Sequence, residues 1–341
     1  MKKRIISIVV AALVTVLILA LLQPLVKPKY IDNPEGRLVG EYYAEAGGHD
    51  VIFVGDCEVY ESFVPAVLWE KYGISSYIRG SAQQLAWHSY YLLEETFEYE
   101  KPSVVVFNVL ALKYGEPQSE AYNRMTLDDM RWSKHKLDAI NASMTEDEKL
   151  LDYVFPLLRF HSRITELESD DFKYIFSAPE AASHSGYLMQ KGIVPMTNEP
   201  TEGRPLKIDE YELPQTSMDY LERMRVLCEE NGAELVLIKA PTNTFAYWWY
   251  DEWDEQIVEY ANEKELAYYN FIDEVESIGI DFSTDTYDKG VHLNVYGAEK
   301  MTEYFGNILA NSHGMKNLTH TEAEKNAWAD RVERYKQERN S

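Results

Sequence analysis

Cysteine is almost missing from this chain, with two in 341 residues. So few exclude a disulfide-dense scaffold and any four-cysteine zinc or iron–sulfur site. Positive charge is also scarce. Against 57 Asp+Glu stand 33 Lys+Arg, a formal net charge of −24. A nucleic-acid binder needs a basic face to neutralise phosphates, and electrostatic adhesion to anionic lipid needs the same, so both are disfavoured. There is no Gly-x-Gly-x-x-Gly and no Walker loop, which argues against a nucleotide cofactor. No His, Cys or Asp group has a recognised metal-ligand spacing, so no metal and no cofactor is expected. Internal repeats and low-complexity blocks are missing too. Apolar residues are plentiful, at 45% hydrophobic and 13% aromatic. That is ample for a packed core and too rich for a disordered chain. The length alone suggests roughly two domains.

The apolar content is concentrated first at the N-terminus. Met1-Lys2-Lys3-Arg4 precedes Ile5 to Leu22, an uncharged run interrupted only by Ser7 and Thr15. With Leu25 and Val26 it just spans a hydrocarbon core of ~30 Å. The leading basic residues favour a cytoplasmic N-terminus and an extracytoplasmic remainder. The expectation is a single-pass plasma-membrane anchor over 1–26. A cleaved signal peptide is the rival reading, but Gln23-Pro24-Leu25-Val26-Lys27 offers no small-x-small cleavage site. Outside the cytoplasm two cysteines tend to be oxidised. Cys57 and Cys228 are therefore open to three readings: a bridge, two inert thiols, or one reactive thiol and one core residue.

Residues 27–49 read as a linker. Then short apolar strands alternate with helices. Strands are expected over Asp50–Val54, Ser76–Arg79, Val104–Phe107, Glu234–Ile238 and Leu266–Phe271. Helices are expected over Phe63–Tyr72, Gln83–Phe97, Ser217–Glu230, Asp251–Lys264 and Val295–Leu309. Continuous apolar strands separated by helices mean a parallel sheet covered on both faces. The alternation breaks between about 110 and 215, where Met125–Ile140 and Glu146–Arg163 are helix-like and Ser177–Pro214 is polar. This stretch reads as a helical insertion over one edge of the sheet. The main α/β domain is placed at 50–311. The tail, 312–341, carries Trp328, Val332 and Tyr335 at helical spacing and reads as a polar helix that docks by that face.

Ligands bind an open parallel sheet outside the carboxyl ends of its strands. Cys57, Gly80 and Asn108 fall at three such ends, and His292 lies just before the last helix of the domain. These four are expected to converge on one rim. Cys57 also precedes a helix, whose N-terminus favours a thiolate and lowers a thiol pKa. Its bland reading is a small buried hydrophobe in a tight turn.

Gly55-Asp56-Cys57, Gly80, Asn108 and the run Asp288-Lys289-Gly290-Val291-His292-Leu293-Asn294 resemble the blocks of the SGNH/GDSL hydrolase superfamily. The resemblance covers roughly 50–110 and 217–311. It implies a flavodoxin-like three-layer α/β fold and acyl esterase or O-acyltransferase chemistry that needs no metal. It implies Cys57 as nucleophile, His292 as base and Asp288 as the group orienting His292. Gly80 and Asn108 would hold the oxyanion, with Asp56 and Asn294 in support. The layout looks like that of membrane-anchored extracytoplasmic SGNH-like proteins of Gram-positive bacteria, which often accompany a polytopic membrane O-acyltransferase. The implied substrate is an acylated cell-envelope polysaccharide or teichoic-acid-like polymer.

Two departures mark this chain. Cysteine replaces serine at 57, and Lys289 stands where the acid normally precedes the histidine by three; Asp288 and Asp285 lie further back. A thiol is acidic enough to need less help from a carboxylate, which softens the second departure. The competing reading keeps the fold, loses the chemistry and leaves a catalytically inactive partner of a membrane acyltransferase. A third reading is a polysaccharide-binding module built on Tyr247-Trp248-Trp249-Tyr250, whose blander interpretation is packing under the following helix. Arg159, His161 and Arg163 read as the cationic end of a surface helix, His88 and His135 as surface or core residues, and Cys228 as core beside Leu221 and Met224.

Overall fold

The structure, a computed structural model, describes residues 2–45, 47–196, 211–242 and 250–341. The sheet within them has five strands: β1 (Val51–Gly55), β2 (Ser76–Gly80), β3 (Val104–Asn108), β4 (Glu234–Lys239) and β5 (Ala267–Asn270). All pairings are parallel and the order is β2-β1-β3-β4-β5. This is a doubly wound order, the one that a flavodoxin-like sheet uses.

Alternate residues of each strand face opposite layers, which is why the strands read as unbroken apolar runs. Ile52, Val54, Val105, Phe107, Leu235 and Leu237 pack with Trp87, Leu221, Met224 and Cys228. Phe53, Val106, Val236 and Ile238 pack on the other side with Phe63, Leu68, Met301 and Phe305. The register pairs Gly55 with Gly80 and Asn108 with Ile238, so the carboxyl ends of the strands align along one rim.

Two regions differ from expectation. Residues 27–49, expected as a linker, contain the helix Leu38–Glu45, whose Leu38, Val39 and Tyr42 are fully buried. The guanidinium of Arg79 lies 4.0 Å above the Tyr42 ring, while Arg79 also pairs with Glu95 at 2.8 Å. The stretch therefore completes the core, and its scattered apolar residues escape a periodicity test because the helix is only two turns long.

The insertion does more than lie over an edge. Its helix Lys134–Ser143 packs on Ala86–Tyr99. Its segment 183–196 meets the β2 edge, where Ile78 N–H donates to Ser185 O at 3.0 Å. It then crosses the rim: Leu188 N–H donates to Tyr60 O at 2.8 Å and Val194 N–H to Thr286 O at 3.0 Å.

The tail forms the helix Glu322–Asn340, with Trp328 stacked on Trp69 at 5.3 Å and Tyr335 buried. At the other end, the helix Lys2–Val26 is exposed over most of its length and is long and apolar enough to cross a membrane.

Candidate active site

Beyond β1 the chain turns directly into the single helical turn Cys57–Tyr60, with Asp56 as its N-cap. The Asp56 carboxylate accepts from Glu58 N–H at 3.2 Å. This fixes Cys57 at the first helical position, on the rim and half-buried.

The loop before the last domain helix, Val295–Ser312, supplies the partners. Thr286 and Leu293 pair as an antiparallel bridge and close the loop between them. Within it Lys289 and Gly290 both take left-handed conformations, φ 67° and 92°. Glycine suits such a backbone, whereas lysine there is strained. These two residues bulge the loop, so Asp288 reaches back to His292 although four positions, not three, separate them. Thr286 Oγ1 accepts from Gly290 N–H at 2.8 Å and steadies the bulge.

The result is a line of three groups. Cys57 Sγ and His292 Nε2 lie 3.0 Å apart. His292 Nδ1 and Asp288 Oδ2 lie 2.6 Å apart, and Asp288 Oδ1 accepts from His292 N–H at 2.8 Å.

Asn294 anchors this loop to its helix. As N-cap it accepts from Tyr296 N–H at 3.1 Å, and its amide donates to Gly192 O at 2.9 Å and Thr284 O at 2.8 Å. Gly297 leaves room for the loop: a Cβ there would lie 2.6 Å from Asp285 O. Asp285, the other acid considered, is turned away to Lys300 at 2.6 Å.

The oxyanion candidates are differently placed. Gly80 lies opposite Gly55, against the Tyr60 ring. Asn108 is buried, and its amide donates to Glu58 Oε2 at 2.9 Å and Asp56 Oδ1 at 3.3 Å. Its carbonyl accepts from Ala240 N–H at 3.1 Å, which fixes the amide's orientation. Both amide hydrogens are thus committed inside the protein, and neither points to a reacting oxygen. Glu58 is held in turn by Lys239 Nζ at 2.9 and 2.8 Å.

Glu61, Tyr287 and Gln190 complete the site, and sequence reasoning missed all three. Glu61 is buried, accepts from Tyr287 O–H at 2.9 Å, and lies 3.8 Å from His292 Nδ1. Its signal was available: it stands four residues after Cys57, one helical turn on. Gln190 donates to it at 3.3 Å from the insertion, and no local pattern marks that residue.

Burial dominates the electrostatics. It raises the Cys57 thiol to about 11, helped by the neighbouring Asp56 carboxylate and opposed by the contact with His292. The acidic thiol expected from a helix N-terminus is therefore not found: one helical turn carries little dipole, and the neighbours are anionic. Burial opposes charge on His292, but hydrogen bonding to Asp288 and the contact with sulfur carry the imidazole up to about 12. Burial keeps the thiol protonated, and the hydrogen bond to Asp288 keeps the imidazole protonated beside it. Burial also lifts Glu61 to about 7 and Asp56 to about 6.

The remaining candidates sit apart. Cys228 is a buried free thiol and Cys57 is free as well, so no bridge joins them. His88 is buried, with Nδ1 accepting from Leu85 N–H at 3.2 Å. His135 lies between Glu94 and Glu98, and exposed His161 touches Leu158 O. Tyr250 stacks obliquely on Trp253; Tyr247, Trp248 and Trp249 lie outside the described residues. No group of three or more His, Cys, Asp or Glu among the described residues is arranged to hold a metal ion.

Fold and site together define a doubly wound α/β protein with a Cys–His–Asp line at the carboxyl rim of its sheet. Neither a protein-family model nor a curated protein sequence matches this chain.

Proposed function

We propose that this chain is an SGNH-like acyl esterase or O-acyltransferase, anchored in the plasma membrane with its main domain outside the cytoplasm. Its substrate class is an acylated cell-envelope polysaccharide or teichoic-acid-like polymer. One observation carries the reading: sulfur, imidazole and carboxylate are joined in hydrogen-bonded order at the rim where α/β sheets bind ligands. Cys57 Sγ attacks the ester carbonyl and its proton passes to His292 Nε2. The tetrahedral intermediate collapses to a thioester, and His292 returns the proton to the departing alcohol. Water or a second hydroxyl, deprotonated by His292, then takes the acyl group and frees the thiol. His292 must start neutral for this cycle, so the working enzyme has shed the imidazolium proton that Asp288 favours. Rates should therefore climb toward alkaline pH.

The test is acyl-enzyme capture. With an activated acetyl ester, intact-mass spectrometry should show one acetyl group on Cys57, and Cys57→Ala should lose both the adduct and turnover. Equal turnover in Cys57→Ala would sink the reading.

A second reading, an inactive partner of a polytopic membrane O-acyltransferase, is favoured by the raised thiol and the committed Asn108 amide. It expects Cys57→Ala to restore polymer acylation fully in cells lacking the wild-type chain.

A further inference from the structure

The N-terminal helix does not leave the domain as a free tether. Its last turn is built into the insertion. Leu157 N–H donates to Gln23 Oε1 at 2.9 Å, and Arg163 Nη1 donates to Val26 O at 2.6 Å. Arg163 is itself held by Asp171 at 2.9 Å. Lys27 pairs with Asp129 at 2.6 Å, and Val26 is fully buried. The short segments Pro156–Phe160, His161–Thr165 and Ser169–Lys173 all touch the helix.

These segments, with the residues that follow to 176, expose several large apolar side chains. Leu158 is 54% exposed, Ile164 47%, Phe172 57% and Phe176 82%. Phe176 also walls a cavity of about 640 Å³ that reaches Pro24, Lys27 and Lys29, at the exit of the helix. Burying one such side chain gains about 1.5–3 kcal/mol, so leaving four in water is costly.

Length tells what covers them. The uncharged exposed part of the helix runs from Ile5 to Leu21, which is 17 residues. At 1.5 Å per residue that is about 26 Å, roughly 4 Å short of a hydrocarbon core of ~30 Å. The missing length is the last turn, and the insertion surrounds that turn. Apolar side chains on the insertion are therefore level with the edge of the hydrocarbon.

We propose that 155–176 forms an apolar collar that dips into the outer face of the membrane around the anchor, its occupant being lipid acyl chains. The anchor and the collar form one continuous apolar surface. The collar rests on the anchor reading given above. It is a hydrophobic and not an electrostatic contact, as expected of a chain with net charge −24.

The test uses the full chain in phosphatidylcholine nanodiscs. A benzophenone amino acid is placed in turn at Leu158, Phe172 and Phe176, with Leu13 as the lipid reference and Val226 as the water reference. Lipid adducts at the three collar sites should approach the Leu13 yield and persist at high salt. Collar yields equal to Val226, with Leu13 still labelled, would overturn the collar and leave the anchor standing. Loss of collar labelling at high salt would overturn its hydrophobic nature. If Leu13 fails to label, the anchor falls and the collar falls with it.

Discussion

At the Cys57 end of the rim the polar groups run in one line that ends at the sulfur of a partly buried cysteine; at the Asn108 end they close on one another. Cys57, His292 and Asp288 are joined in sequence, with the sulfur at the end of the line. Asn108, Glu58 and Lys239 form a closed, buried knot in which the amide, carboxylate and ammonium satisfy each other. The first arrangement suits chemistry and the second suits stability. The contrast teaches that an asparagine at a strand end does not become an oxyanion donor unless its amide has a hydrogen to spare.

The comparison is broken most severely at Lys239. Lys239→Met leaves the Glu58 carboxylate buried without its main partner and should cost about 3–5 kcal/mol in denaturant unfolding. The double replacement with Glu58→Gln should recover most of that loss, since no charge is then stranded. A small loss in the single variant would mean the knot is not what holds this end together.

Next comes Glu61, which belongs to neither arrangement but touches the line from behind. Its carboxyl is raised from an ordinary 4.5 to about 7. The folded state then holds a proton that the unfolded state has lost, so stability falls as pH rises from 4.5 to 7, by on the order of 2–3 kcal/mol. Glu61→Gln should flatten that window in thermal melts from pH 4 to 8. The raised His292 acts with the same sign at higher pH, its contribution full below its ordinary 6.5 and lost as pH climbs toward 12.

The smallest effect sharpens the line itself. Gly290→Ala must adopt φ 92° with a Cβ, at a cost of about 1–2 kcal/mol. Its stability loss should be modest, while any shift of Asp288 away from His292 should lower the acylation rate more than it raises KM.

The strands and their parallel sheet were legible because β1, β3 and β4 are nearly unbroken apolar runs separated by helices. The pairing of positions 57 and 292 was legible for the same reason, since both sit at the rim by topology alone. Asp288 was readable as a candidate, but its reach depends on the left-handed Lys289, which no residue pattern announces. Knots that join distant strands stayed hidden: Asn108 and Lys239 are 131 positions apart, and nothing local says that Glu58 will tie them. The helix at 38–45 stayed hidden because two turns are too short for a period to register.

Asn294 has a consequence of a different kind. One side chain begins the last helix of the domain and also grips the carbonyls of the loop that carries His292. Fraying of that helix start and withdrawal of the imidazole are then the same event. Amide protons from 285 to 297 should exchange with solvent as one block, so a binding partner that strained this helix would silence the sulfur from a distance.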